Sequence, residues 1–137
     1  MIRHYLDEIK DLLSSYEWIR FVEIIRCDFE ENDQKRILFY RFRVYLSDGS
    51  RLEMVERLVE SKKDGSIYST KYSFHWQDQH GHLIRRWDNA PHYPNLDDFP
   101  YHIHIGEDET VVPGTSINAM EMLAEVDREL SDVVEKE

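Results

Sequence analysis

The sequence predicts an α+β domain in which an antiparallel meander of five or six strands is flanked by an N-terminal and a C-terminal helix. Three observations predict this fold class. Apolar residues recur at helical spacing near both ends of the chain, they alternate with polar residues in several segments between, and turn-forming residues separate those segments. Consecutive hairpins build an antiparallel sheet, and amphipathic helices cover its apolar face. With 137 residues, we expect one domain spanning residues 1–137.

The N-terminal part predicts one helix and two strands. Residues 2–16 place apolar side chains at helical spacing with charges between them. Residues 18–29 and 37–46 alternate, and the polar run at 30–33 predicts the turn between them. The side chains expected on the apolar faces of these strands are Ile19, Phe21, Ile25, Cys27 and Phe29 in the first, and Leu38, Tyr40, Phe42, Val44 and Leu46 in the second.

The middle of the chain predicts a second hairpin and a further strand. Residues 47–50, Ser-Asp-Gly-Ser, are typical of a hairpin turn. Residues 51–60 fit a return strand or a short helix, and we prefer the strand because a hairpin turn precedes it. Residues 67–77 predict the next strand. Its two faces are expected to carry Tyr68, Tyr72, Phe74 and Trp76 on one side and Ser69, Lys71, Ser73, His75 and Gln77 on the other.

The C-terminal half predicts two short strands, two loops and a helix. Residues 82–87 form a strand that places Arg85 and Arg86 on opposite faces, and residues 101–105 form one that places His102 and His104 together. Three prolines predict an ordered loop at 88–100, and residues 106–115 predict a polar loop. A final helix follows an N-cap at Thr115 or Ser116. Its expected apolar stripe is Ile117, Met120, Leu123, Ala124, Leu130 and Val134.

Charge and composition restrict the class of protein. The chain carries a formal net charge of −11, which disfavours nucleic-acid binding if the charge is spread evenly. Residues 107–137 hold ten acidic and two basic side chains, so the rest of the chain is near balance. The acidic helix is expected to be a solvated face, with a basic partner as the alternative. Because no signal pattern or apolar run of about 20 residues is present, we expect a cytoplasmic protein that does not enter a membrane.

Histidines are concentrated in one segment. Six of the seven lie between His75 and His104. Convergent imidazoles can transfer protons near neutral pH, as cleavage of an RNA phosphodiester by its own 2′-OH requires, and an arginine can bind the phosphate. The residues expected to carry this chemistry are His75, His102, His104, Arg85 and Arg86. Imidazoles also bind transition metals, with His92 or Asp88 completing a shell, but no Cys or carboxylate cluster stands at ligand spacing. We therefore predict no metal and no other cofactor.

Five further residues are candidates for substrate binding, and each has a structural alternative. Trp87 could stack on a base or fill the core, and Asp88 and Asn89 could cap a turn, with orientation of a histidine by Asp88 as a second role. The full set is Lys71, Trp87, Asp88, Asn89 and His92. A basic track for RNA would have to be assembled from Lys62, Lys63, Lys71, Arg85 and Arg86.

Three blocks carry a family resemblance. They are Tyr-Ser-Phe-His-Trp-Gln at 72–77, Leu-Ile-Arg-Arg-Trp-Asp-Asn-Ala-Pro-His at 83–92 and Phe-Pro-Tyr-His-Ile-His at 99–104. In this order and spacing they resemble the TumE-type toxin family of bacterial and archaeal toxin–antitoxin systems. The resemblance implies a prokaryotic toxin encoded beside an antitoxin, often one with a helix-turn-helix domain, and it implies no mechanism.

Three hypotheses follow for the function. The first is a metal-independent endoribonuclease that uses the histidines and an arginine. The second is a toxin that blocks its target by binding alone. The third is a protein-interaction module whose histidine cluster is structural. The partners to be tested are the cognate antitoxin, RNA and a second copy of the chain.

Overall fold

The computed structural model describes residues 1–89, 100–106, 110–114 and 116–136, without the side chains of residues 113 and 132–136. Its elements follow one another along the chain with short connections between most of them. They are α1 (Ile2–Ser15), β1 (Ile19–Glu31), β2 (Lys35–Leu46), β3 (Arg51–Ser61), β4 (Ile67–Gln77), β5 (Leu83–Asp88), β6 (His102–Ile105), β7 (Thr110–Pro113) and α2 (Ala119–Lys136).

The strands form one antiparallel sheet in sequence order from β1 to β7. The α+β class and both flanking helices are confirmed, but the sheet has seven strands, not five or six. The additional strand, β7, lies in the segment 106–115 that was predicted to be a polar loop. It escaped prediction because only Val111 and Val112 interrupt a run of polar, Pro and Gly residues. Residues 51–60 are a strand, as preferred, within β3.

Both helices pack on the same face of the sheet and bury one core against it. We call this face the helix side and the opposite face the outer face. In α1 the buried stripe is Ile2, Leu6, Ile9 and Leu13, four residues at helical spacing. In the described side chains of α2 the fully buried positions are Ala119, Met122, Leu123 and Val126. The predicted stripe of α2 was therefore only partly right: Leu123 is buried, whereas Ile117, Met120, Ala124 and Leu130 are half-buried, and the side chain of Val134 lies outside the described part of the structure.

The start of α2 also differs from the prediction. Asn118 Oδ1 accepts from the Glu121 N–H at 2.8 Å, and Glu121 Oε1 accepts from the Asn118 N–H at 3.1 Å. This reciprocal pair is a capping box, which satisfies two of the unpaired donors at a helix start. Asn118 is thus the N-cap, not Ser116, and Thr115 lies outside the described residues.

Bulges move several side chains away from their predicted faces. In β4 the pairing shifts between Arg57 and Leu58 of β3, so Ser69 faces the helix side and Tyr68 the outer side, the reverse of the prediction. Two shifts in β1 likewise break its predicted apolar face. Phe21 turns outward and stacks on Tyr45 with ring centroids 4.3 Å apart.

The first strand is the edge of the sheet and is poorly covered. It keeps large apolar side chains exposed, namely Phe21, Ile24, Ile25 and Phe29. Neither described helix is long and apolar enough to cross a membrane.

Candidate functional site: an aspartate cluster on the outer face

The outer face brings the predicted polar residues of β4, β5 and β6 into two rows. Residues directly opposite each other in an antiparallel pair share a face of the sheet. The first row runs from His75 through Arg86 to His104, and the second from Ser73 through Asp88 to His102. The strand pattern had predicted that His75, His102 and His104 share a polar face, and their register confirms it.

Asp88 is the centre of the second row. Its Oδ1 lies 2.7 Å from His102 Nε2, and its Oδ2 lies 3.1 Å from Arg86 Nε and 3.5 Å from His104 Nε2. The Asp88 and His102 side chains are only 3% and 2% exposed, so solvent screens their interaction little. We call Arg86, Asp88, His102 and His104 the aspartate cluster.

The two ring nitrogens of His102 constrain its protonation. Its Nδ1 lies 2.9 Å from the carbonyl oxygen of Pro100, which can only accept a hydrogen bond, so Nδ1 carries a proton. Its Nε2 faces the Asp88 carboxylate, which also accepts. A proton or another cation between the two atoms would remove the repulsion between these acceptors.

The same three residues could hold a metal ion. One ligand atom from each of Asp88, His102 and His104 lies within 4.8 Å of the others, and a backbone carbonyl on the far ring nitrogen is typical of histidines that bind metals. Arg86 already places a positive charge beside Asp88, which reduces the attraction of this carboxylate for a second cation.

His75 stands apart from this cluster. His102 and His104 are in contact, with ring centroids 5.0 Å apart, whereas His75 lies beyond Arg86, about 10 Å from His104 at normal strand spacing. The pKa of the half-buried His75 is lowered, chiefly by burial and then by the Arg86 guanidinium. At neutral pH its ring is therefore in the neutral form, which can accept a proton.

Two clefts meet at Arg86. One, of about 270 Å³, is lined by Thr70, Lys71, Tyr72, Ser73, Arg86, Asp88 and Asn89. The other, of about 200 Å³, is lined by Arg41, Glu53, Val55, Ser73, His75, Gln77 and Arg86. Arg86 therefore lies between the cleft that contains Lys71 and Asp88 and the cleft that contains His75.

Three candidates lie elsewhere or have a structural role. Arg85 points to the helix side, where its guanidinium lies 3.4 Å from Glu129 and 3.8 Å from Glu125. Trp87 is buried in the core and donates from Nε1 to Glu125, so it offers no open face for a base. Asn89 Oδ1 accepts from the Tyr72 N–H at 2.9 Å and ties β5 to β4.

The last candidate, His92, lies outside the described residues. The predicted ordered loop at 88–100 does too, except at its two ends.

The outer face carries a basic surface that was not predicted from the sequence. On the described outer face of β2 to β5, seven side chains are basic and two, Glu53 and Asp88, are acidic. The basic ones are Lys35, Arg41, Arg43, Arg51, Arg57, Lys71 and Arg86. Most of these basic residues lie on strands that were predicted to be half-buried, so alternation within each strand could have placed them on its polar face. Only the pairing register of the strands shows that they lie side by side. The five basic residues predicted to form a track for RNA do not lie together on one surface, because Lys62 pairs with Glu31 at 2.7 Å and Arg85 faces α2.

The fold and the cluster together define a small α+β protein with an open antiparallel sheet, two helices on one face, and a histidine, arginine and aspartate site on the other. A family model described as toxin TumE matches residues 9–136, nearly the whole chain. The chain therefore belongs to the TumE toxin family, as its three sequence blocks suggested. No curated protein and no solved structure gives a significant match.

Proposed function

We propose that this toxin is a metal-independent endoribonuclease whose reacting phosphate binds at Arg86. The observation that carries the proposal is the row His75–Arg86–His104, in which a guanidinium stands between two imidazoles on adjacent strands. Cleavage of RNA by its own 2′-OH needs a base on one side of the phosphate, an acid on the other, and positive charge between them.

The roles follow from the surroundings of each side chain. His75, held neutral by burial and by Arg86, accepts the 2′-OH proton. The 2′ oxygen then forms a bond to phosphorus, the bond from phosphorus to the 5′ oxygen breaks, and His104 donates a proton to that oxygen. A carboxylate 3.5 Å from His104 Nε2 favours the imidazolium that an acid requires. The products are a 2′,3′-cyclic phosphate and a 5′-hydroxyl.

Asp88 and His102 position the reacting groups. Asp88 Oδ2 lies 3.1 Å from Arg86 Nε, which leaves the terminal nitrogens of the guanidinium to bind phosphate oxygens in a fork. His102 is 2% exposed and holds the other carboxylate oxygen, so it does not touch the substrate. Lys71 and the arginines of β2 and β3 supply the positive surface along which an RNA strand can lie.

The test is cleavage of a short RNA with defined ends, with product ends read by mass spectrometry. We expect the wild-type protein to yield a 2′,3′-cyclic phosphate with and without EDTA. We expect His75→Ala and His104→Ala to lower the rate at least about a hundredfold, the scale of general acid–base catalysis. His82→Ala, which removes an exposed histidine at a turn, is the matched control and should leave the rate unchanged.

Three results would count against the proposal. Cleavage that EDTA abolishes and Zn²⁺ or Mn²⁺ restores would assign the aspartate cluster to a metal. Equal cleavage of an all-2′-O-methyl strand would exclude the 2′-OH as nucleophile. Intact RNA under conditions in which expression still arrests growth would exclude the nuclease.

A toxin that acts by binding is the second candidate. The observation in its favour is the edge strand β1, whose exposed Phe21, Ile24 and Ile25 suit pairing with another chain. It predicts that His75→Ala and His104→Ala leave growth arrest intact while Ile24→Lys abolishes it. If expression of the wild-type protein and of the folded variants leaves growth unchanged, the interaction module with a structural histidine cluster is favoured instead.

The partner proposed for either function is a cognate antitoxin, with a helix-turn-helix protein as the form to look for first. Co-expression with the product of the adjacent gene tests this directly. We expect relief of growth arrest and co-purification of the two chains, and independent elution of both would contradict the pairing.

A further inference from the structure

A cavity of about 480 Å³ lies on the helix side, behind the sheet from the aspartate cluster. Its size is in the range of small-molecule sites. It sits where β3, β4 and the start of α2 meet. Its lining includes Glu56, Tyr72, Tyr101 and Glu121, with Tyr5 of α1 completing one wall.

Glu56 is the unusual member of this lining. It is 1% exposed, and the hydroxyls of Tyr5 and Tyr40 both donate to its Oε1 at 2.6 Å. Its Oε2 has no hydrogen-bond partner in good geometry among the described residues. A buried carboxylate oxygen without a donor or a counter-charge costs stability, so a ligand that supplied either one would be bound.

The charge of the cavity selects the class of ligand. Among its described lining residues, two are carboxylates and none is Lys, Arg or His. Three tyrosines on the helix side line it, Tyr5, Tyr72 and Tyr101, and the rings of Tyr72 and Tyr101 lie nearly parallel, with centroids 6.3 Å apart. Aromatic faces attract cations, and the net charge of the chain, −11, adds to that attraction.

We propose that this cavity binds a small organic cation, an alkylammonium or guanidinium compound, with Glu56 as its counter-charge and the tyrosine rings around its positive group. The proposal does not depend on the ribonuclease, because the cavity and the aspartate cluster lie on opposite faces of the sheet.

Calorimetric titration with butylammonium and butylguanidinium tests the proposal, and 1-butanol is the uncharged comparison. We expect at least one of the two cations to bind and the alcohol not to. We expect Glu56→Gln to weaken that binding at least about tenfold, because the amide keeps the shape and the hydrogen bonds but not the charge. The control is Glu30→Gln, an exposed carboxylate of β1, which should bind as the wild type does.

A second variant keeps the proposal testable if Glu56→Gln does not fold. Tyr101 is half-buried at the margin of the core, so Tyr101→Leu should leave the fold intact while removing one aromatic face. We expect it to weaken cation binding by about fivefold, on the scale of a cation–π contact at a partly exposed site. A melting temperature close to that of the wild type confirms that each variant is folded.

The pH dependence gives an independent readout. The groups that face Glu56 are Tyr5 from α1, Tyr40 from β2 and Ser69 from β4, and Glu121 of α2 lines the same cavity. Burial raises the pKa of Glu56 to about 7, although these three hydroxyls lower it in part. Cation affinity should therefore rise up to about tenfold from pH 6 to pH 8 as the carboxyl ionises, and this rise should be lost in Glu56→Gln.

The proposal is overturned if neither cation binds at pH 8, if 1-butanol binds as well as the cations do, or if folded Glu56→Gln binds with wild-type affinity. Each of these outcomes can occur whether or not the protein cleaves RNA, so failure here is distinguishable from failure of the ribonuclease.

Discussion

Asp88 and Glu56 are both buried carboxylates, but they lie on opposite faces of the sheet and have opposite surroundings. Asp88 is bounded by Arg86, His102 and His104, all of which are or can become cations. Among the described residues, Glu56 faces hydroxyls and no cation, and two of those hydroxyls come from tyrosines on α1 and β2. Hydroxyl donors do not offset the desolvation of Glu56, so its pKa is raised to about 7.

Because their surroundings differ, the buried charges of Asp88 and Glu56 can serve different purposes. At Asp88 the charge is matched within the chain and can orient reacting groups on the outer face. At Glu56 the charge is unmatched, so the carboxyl either keeps a proton or binds a cation from outside. Removing each carboxylate should therefore have different consequences, and the following predictions run from the largest expected effect to the smallest.

Loss of Asp88 should destabilise the protein most. Asp88→Ala leaves Arg86 and a buried His102 without their counter-charge, and breaking such a pair from one side costs about 3–5 kcal/mol. Urea unfolding measures the change. Asp11→Ala, which removes an exposed aspartate of α1, should change the free energy of unfolding by less than about 0.5 kcal/mol. Equal effects of the two variants would mean that the Asp88 contacts carry no stability.

Neutralising Glu56 should change how stability depends on pH. The folded pKa of about 7 lies above the ordinary glutamate value of 4.5, so between these pH values the native state holds a proton that the unfolded chain has released. The stability from this proton is full below pH 4.5 and is lost as the pH rises through 7, by about 3 kcal/mol in total. In Glu56→Gln this loss should be absent, as measured by urea unfolding at pH 5 and pH 8. If the free energy of unfolding differs between the wild type and Glu56→Gln by the same amount at both pH values, the claim that Glu56 carries an unmatched charge is contradicted.

The pKa of His75 should report the charge of Arg86. Burial and this guanidinium lower the pKa of His75, so Arg86→Gln should raise it, by a modest amount because the ring is half-buried and screened. Arg85→Gln, on the neighbouring position of the same strand but the other face, should not. NMR titration of the imidazole signals measures both. A similar shift in the two variants would mean that Arg86 does not face His75.

Removing the cap of α2 should have the smallest effect. Ala119, at the start of this helix, donates to the Tyr5 hydroxyl that in turn binds Glu56. Asn118→Ala should cost about 1 kcal/mol and leave RNA cleavage unchanged, since the outer face does not depend on the helix start. Ser116→Ala, at the position first predicted to be the cap, should cost only a few tenths. If both substitutions cost the same, the capping box is not the cause.

The sequence was sufficient for the elements that depend on periodicity. The stripe of α1 and the alternation of β2 and β4 are local patterns, and they predicted both the fold class and the outward position of His75, His102 and His104. Where local patterns conflict with bulges, as at Tyr68, or are too short, as in β7, the prediction failed.

Two features of the sites depend on register and could not be derived from composition. Asp88 was expected chiefly to cap a turn, and its contact with His102 requires the pairing of β5 with β6. The burial of Glu56 was not predicted, because a glutamate in an alternating strand is usually solvated. Its burial follows from a position opposite Tyr40 and Tyr72 on the helix side.

The central claim is that a phosphate reacts at Arg86, and the arginine pair of β5 tests it most directly. Initial rates of cleavage of one RNA substrate should be compared for the wild type, Arg86→Gln and Arg85→Gln. We predict a loss of at least about a hundredfold in Arg86→Gln, the scale for one group that stabilises transition-state charge, with Arg85→Gln within about twofold of the wild type. Equal rates for the two variants, or a larger loss in folded Arg85→Gln, would contradict the account.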